Sequence, residues 1–229
     1  MTTRRQFLNT AAVASGSALI AQNALPDLAW GALPSPMNIL ILGGTGYIGP
    51  HLVRLAVSRG HKVTTFTRGR RKPELPLGVI QLIGDRNGQL QALEGKTWDA
   101  VIDDSATNPE WVRLSTELLK GKVLQYLFTS STGVYYPYLK RGLDKTTMPH
   151  TTMVDPKDGS ESFGVQKAQC EEIVRAAFGK GSIVVRPSYI VGPGDTSDRF
   201  PYWPQRLAKG GLTLAPWKEV RSGTDGRRP

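Results

Sequence analysis

Three glycines at fixed spacing, Gly43, Gly46 and Gly49, follow directly on the apolar run of residues 37–42. Immediately after them Tyr47, Ile48, His51, Leu52, Leu55 and Ala56 recur at helical spacing. The order predicts a strand, a tight turn and a helix. Such a junction is restrictive: the first glycine permits the turn, the second lets a ligand approach the backbone, and the third lets the helix pack close to the strand. The unpaired N–H groups and positive dipole end of the helix then face the turn, which suits a phosphate. The segment therefore reads as the pyrophosphate site of a dinucleotide, held by Gly43, Thr45, Gly46, Tyr47, Ile48 and Gly49, against an ordinary glycine-rich loop as the alternative.

The remaining body repeats the rhythm. Residues 62–67, 79–83 and 99–103 each read as a buried parallel strand, and 123–129 and 182–185 complete a set of six. Windows at 111–119 and 161–178 read as helices, the second with Cys170, Ile173, Val174, Ala177 and Phe178 on one face. This alternation implies right-handed crossovers and an α/β, Rossmann-like doubly wound parallel sheet over residues 37–187. After Arg186-Pro187 the chain turns to Gly, Pro and Trp, so 188–229 reads as a partial substrate-binding region. A length of 229 residues with 39% hydrophobic and 21% charged side chains is enough for one packed domain and outside the disordered range. One cysteine excludes an internal disulfide, and three scattered histidines give no reason to expect a metal.

The end of the second predicted strand addresses the ribose. Sites that prefer NAD place a carboxylate there for the 2′-hydroxyl, whereas a 2′-phosphate calls for basic residues. Here Thr67-Arg68-Gly69-Arg70-Arg71-Lys72 contains no acid, which favours NADP over NAD with Arg68 as the contact; a solvated basic loop and a nucleic-acid patch are the alternatives.

Taken with Thr45-Gly46-Tyr47-Ile48-Gly49, three further segments carry a resemblance: Phe128-Thr129-Ser130-Ser131-Thr132-Gly133-Val134-Tyr135, Phe163-Gly164-Val165-Gln166-Lys167, and Arg186-Pro187 followed by Gly192-Pro193. Together they resemble the extended short-chain dehydrogenase/reductase family of NAD-dependent epimerases and dehydratases, and Asp198-Arg199-Phe200-Pro201-Tyr202-Trp203-Pro204 resembles its atypical members. The resemblance implies that Ser131 holds the substrate oxygen, that Lys167 holds the nicotinamide ribose, and that Asp85-Arg86 meets the adenine, a plain turn being the alternative for the last pair. It also implies a tyrosine four residues before Lys167, yet Phe163 stands there and cannot exchange a proton. Tyr135, Tyr136, Tyr138 and His150 are the stand-ins in reach, with packing or loop roles as the stronger expectation for each.

The ends of the chain read separately. Thr3-Arg4-Arg5-Gln6-Phe7-Leu8 and the uncharged stretch of 11–21 resemble a twin-arginine export signal over residues 1–32. Its apolar run is shorter than the roughly 20 residues that cross a bilayer, so no permanent anchor is expected. The expected location is then periplasmic or extracellular, and otherwise cytoplasmic. Residues 217–229 lack apolar periodicity, which suggests a truncated or frame-disrupted substrate region. Three functions compete: an NAD(P)-dependent epimerase, dehydratase or reductase acting on a nucleotide sugar or other small carbonyl or hydroxyl compound, a non-catalytic dinucleotide-binding protein or inactive remnant, and a nucleic-acid-binding member of the fold. The first is favoured, and a small molecule is the expected partner. Nucleic acid has only the net charge of +10 behind it, and a homo-oligomer is compatible with such a domain.

Overall fold

Strand β1 (Asn38–Leu42) can occupy the centre of a sheet because it is apolar towards both faces. Ile39 and Ile41 pack to one side with Val53 and Ala56 of helix α1 (Gly49–Ser58), whereas Leu40 and Leu42 join the larger core on the other. The computed structural model describes residues 35–138, 141–155, 157, 161–197 and 199–213. In it β2 (Lys62–Thr67), β3 (Ile80–Ile83), β4 (Ala100–Asp103), β5 (Gln125–Thr129) and β6 (Ser182–Val185) complete a six-stranded sheet of order β3-β2-β1-β4-β5-β6. All five pairings are parallel, with Leu42 beside both Phe66 and Asp103. This is the doubly wound α/β fold that the alternating pattern predicts. The chain reverses its direction of winding between β1 and β4, and in such sheets that crevice is where ligands bind.

Helices α2 (Pro109–Leu119) and α3 (Glu161–Phe178) cover the second face. Asn108 starts α2 by accepting the Glu110 N–H at 2.9 Å, a side-chain cap that satisfies one of the helix's free donors. In α3 the expected face is the one that packs: Cys170 and Val174 are fully buried, with Ile173 and Phe178 against the same core. A short helix α4 (Tyr202–Ala208) lies beyond the sheet and exposes Tyr202, Trp203 and Leu207. The twin-arginine segment of 1–32 and the tail of 217–229 lie outside the described residues. Among those described, no helix is long and apolar enough to cross a membrane.

One expectation needs correction. The strand expected at 79–83 forms as β3 but is not buried: Ile80 and Ile83 are each 59% exposed. It sits at the sheet edge, and the chain both enters and leaves it without an α-helix, directly from β2 and then to β4 through a single 3-10 turn at Gln91–Leu93.

At the carboxyl end of β4 the core is polar. Asp103, fully buried, accepts from Arg86 at 2.6 and 2.8 Å and from the Tyr126 hydroxyl at 2.7 Å. Arg86 also donates to Ser115 of α2 at 2.7 Å, so one guanidinium ties the turn after β3 to β4 and α2. Burial alone would lower the Arg86 pKa, but the charge of Asp103 more than offsets it and keeps the group ionised. For Tyr126 burial and the Asp103 charge act together and hold the phenol neutral. Removing one partner of such a pair leaves an uncompensated buried charge. Arg86→Met is therefore expected to lower the unfolding free energy by about 3–5 kcal/mol in urea denaturation. A loss under about 1 kcal/mol would contradict the picture of a dry ion pair.

Candidate dinucleotide groove

The glycine turn takes the form the spacing requires. Gly43 and Gly44 have φ of 116° and 89°, a left-handed region open to glycine without penalty. A Cβ on Gly49 would stand 2.4 Å from the Gly44 carbonyl carbon, so the first turn of α1 lies directly on the turn backbone. Gly46 has open space around it and faces outward. Ile48 at the N-cap offers no side-chain acceptor and no acid stands in the first turn, which leaves the positive end of α1 unneutralised.

Two hollows run along the carboxyl ends of the strands and share Ser105. The first, about 500 Å³, is lined by the glycine turn, by Arg68, Arg70 and Arg71 after β2, and by Asp85 and Arg86 after β3. Every sequence-assigned residue of the adenosine side therefore meets in one place. No ion pair occupies Arg68, Arg70 or Arg71 among the described residues, so their charge faces the hollow unspent. Arg86 differs: its terminal nitrogens are committed to Asp103 and Ser115, and it forms the floor.

The second hollow, about 620 Å³, brings together Tyr47, Ile48, Ser131, Phe163 and Lys167. Ser131 caps the 3-10 turn Thr132–Tyr135 by accepting the Gly133 N–H at 3.0 Å, and its own hydroxyl proton is left to donate. Lys167 donates to the Thr129 carbonyl at 2.7 Å and lies 4.9 Å from the Phe128 ring centroid and 6.0 Å from that of Phe163. Burial draws its ammonium below the ordinary lysine value, against the opposing pull of Asp103, Cys170 and Asp104. A Cβ on Gly164 would fall 2.1 Å from the Gly133 oxygen, so α3 touches the Ser131 turn backbone to backbone and fixes Phe163 and Lys167 against it. Phe163 thus occupies the tyrosine's place; the residue is 46% exposed and lines the hollow.

Of the stand-ins, Tyr135 is buried, donates to the Asp144 carbonyl at 2.9 Å and receives Arg186. It is a packing group. His150 donates its backbone N–H to the Val134 carbonyl at 2.9 Å, and Tyr138 alone of the four lines the hollow.

Sequence reasoning passed over Asp104. Its carboxylate lies against Gly43 of the glycine turn, and its Oδ1 is buried without a hydrogen-bond partner. Burial, reinforced by neighbouring Asp103, pushes the carboxyl up to about 6 despite Lys167 and the Gly44 N–H. The signal was present: an acid one residue past a central strand stands where parallel sheets bind ligands. Ser130 Oγ is a second buried, unpartnered atom in the same wall.

The contrast between two glycines is testable. Gly46→Val should leave the melting temperature within about 2 °C while abolishing dinucleotide binding, because the added atoms meet no protein but fill the approach to the helix end. Gly49→Val should lose both, through the clash with Gly44. Differential scanning fluorimetry with and without NADPH separates the two outcomes.

Residues 39–112 match the family described as NAD dependent epimerase/dehydratase. The chain is 33% identical over 177 residues to chloroplast stem-loop binding protein of 41 kDa b from Arabidopsis thaliana, covering 69% of this chain and 43% of that protein. It is 29% identical over 200 residues to 2-alkyl-3-oxoalkanoate reductase from Stenotrophomonas maltophilia, covering 78% and 58%. The chain thus spans about half the length of these curated relatives. Among solved structures a UDP-galactose 4-epimerase superposes with a TM-score of 0.61 at 20% identity, over 76% of this chain and 63% of that one, a likeness of fold. The residues that match the NAD dependent epimerase/dehydratase family thus carry β1, the glycine turn and the Asp103-Asp104 pair.

Proposed function

We propose that the chain binds a nicotinamide dinucleotide along this groove and acts as an NAD(P)-dependent oxidoreductase of the epimerase/dehydratase kind on a small carbonyl or hydroxyl compound, with nucleotide sugars in that class. The observation that carries the proposal is the continuity of the groove, from the basic loop after β2, past the bare N-terminus of α1, to Ser131 and Lys167. The residues fit the cofactor: the glycine turn leaves its backbone open at Gly46, and the end of α1 offers unpaired donors to a pyrophosphate. Gly43, Thr45, Gly46, Tyr47, Ile48 and Gly49 would hold it there, Asp85 would reach the adenine and Lys167 the ribose next to the nicotinamide. Arg68, with no acid facing it, favours NADP over NAD by offering a cation to a 2′-phosphate. The family's description as NAD dependent, and a relative named as a reductase of 3-oxo acids, support the class of reaction.

When bound, a nicotinamide supplies hydride exchange with a substrate carbon. The chain's part is to hold the reacting oxygen by the free hydroxyl proton of Ser131 and to keep the ribose against Lys167. Phe163 supplies an apolar wall and no proton. If the rest of the site is competent, Phe163→Tyr should raise turnover at least tenfold towards a 3-oxo acid and NADPH, since a positioned acid is worth about 10²-fold or more. An unchanged rate would place the proton donor elsewhere. For location we propose export as a folded protein on the signal at residues 1–32, with no permanent anchor.

A second reading has one specific observation behind it: the stem-loop binding name of the Arabidopsis relative, beside the net charge of +10. One experiment weighs both, a titration of the purified chain with NADPH, NADH and a stem-loop RNA at two salt concentrations. Tight NADPH binding that Arg68→Ala weakens about tenfold, with NADH unaffected, is the expected result. Tight RNA binding that falls steeply with salt, without nucleotide binding, would favour the second reading.

A further inference from the structure

We propose that Asp104 makes dinucleotide binding proton-linked, so that the cofactor binds with uptake of one proton onto this carboxyl. The proposal rests on the dinucleotide reading of the groove, and its ground is the position of the side chain. Asp104 hangs from the end of β4 over the glycine turn: Oδ2 lies 3.6 Å from where a Gly43 Cβ would stand, and the residue lines the second hollow beside Tyr47 and Ile48. It therefore presents an acid to the place where the turn and the bare end of α1 await an anion. Its Oδ1, buried and without a partner, has no donor to keep it ionised when a second anion arrives.

The charged groups facing it are few. Asp103 on β4 pushes its proton affinity up, and Lys167 on α3 pulls it down, but Lys167 is spent on the Thr129 carbonyl. Arg86 answers Asp103 and not Asp104. With the carboxyl already raised to about 6 in the free chain, a nearby pyrophosphate raises it further, and a protonated Asp104 can donate to a phosphate or ribose oxygen instead of repelling it. Linkage fixes the sign. Where the bound form holds one proton more than the free form, affinity falls as pH rises above the free carboxyl's value, and levels off above the bound one.

The test is the dissociation constant of NADH, read by nicotinamide fluorescence from pH 5.5 to 8.5 on the full chain. NADH is chosen because it lacks the 2′-phosphate, a group that itself titrates near 6. For the wild-type chain we expect affinity to weaken at least fivefold between pH 6 and 8. For Asp104→Asn we expect a change of less than twofold over the same range, with affinity at pH 8 equal to or tighter than wild type. Asp104→Ser, which keeps a polar oxygen and removes the titrating group, should also be flat, and far-UV circular dichroism verifies the fold of each variant. Wild-type binding that does not vary with pH overturns the proposal and leaves the dinucleotide reading standing. So does a slope that both variants retain. Should NADPH alone bind, the difference in slope between wild type and the two variants is read with NADPH, whose 2′-phosphate titrates equally in all three; absence of binding by both nucleotides at every pH refutes the dinucleotide reading itself, and the proton linkage with it.

Discussion

Asp103 is the residue on which the groove depends, because it is a charge that the fold can tolerate only by organising its surroundings. Held at no exposure beside β1 and β5, it takes both terminal nitrogens of Arg86 and the phenol of Tyr126. Those bonds bring the turn after β3 under the adenosine hollow and bind α2 to the sheet through Ser115. The same charge acts outward, raising the proton affinity of Asp104 and steadying the ammonium of Lys167. A pair buried this deeply gives little net stability over an apolar filling of the same volume. Its worth here is positional: it fixes where the ends of β3 and β4 stand relative to each other.

Much of this was legible in the chain. The helix bounds of α3 and the strand bounds of β2 and β6 coincide with the windows expected of them, and in α3 the apolar repeat and the packed face are the same residues. The glycine turn was legible because its backbone demands are met by few other residues, and the placing of Ser131 and Lys167 rests on the Gly164 contact that the small residue after Phe163 hinted at. The exposure of β3 was hidden, since an edge strand and a central one can share a composition and only the missing crossover helix distinguishes them. Arg86 was read towards the ligand and is turned inward, a choice made by Asp103 across seventeen residues of sequence that carry no local mark of the pairing. Asp104 was missed for a related reason. Its importance lies in having no partner, and a sequence shows residues, not vacancies in their hydrogen bonding.

The two halves of the groove are built with different electrostatics. Towards the adenosine side the walls are basic and unpaired; towards Ser131 an acid, a buried ammonium and an aromatic ring share the space. Cofactor affinity can be concentrated at the uniformly basic first half, whereas in the second Asp104 and Asp195 stand with Lys167 and Arg199, so that charges of both signs are available to orient a substrate. Phe163 preserves the packing of a tyrosine over Gly133 and removes the ionisable oxygen from it.

Cys170 has a practical meaning beyond its place on α3. It is the only cysteine of the sequence, it is fully enclosed, and burial drives its thiol up to about 12. At neutral pH almost none of it is thiolate, so it is nearly silent towards maleimides and peroxide. The natural chain already serves as a cysteine-free background. A single thiol introduced at the exposed Arg70, beside the adenosine hollow, would carry a fluorophore or spin label alone, and occupation of the hollow could be followed without first re-engineering the core.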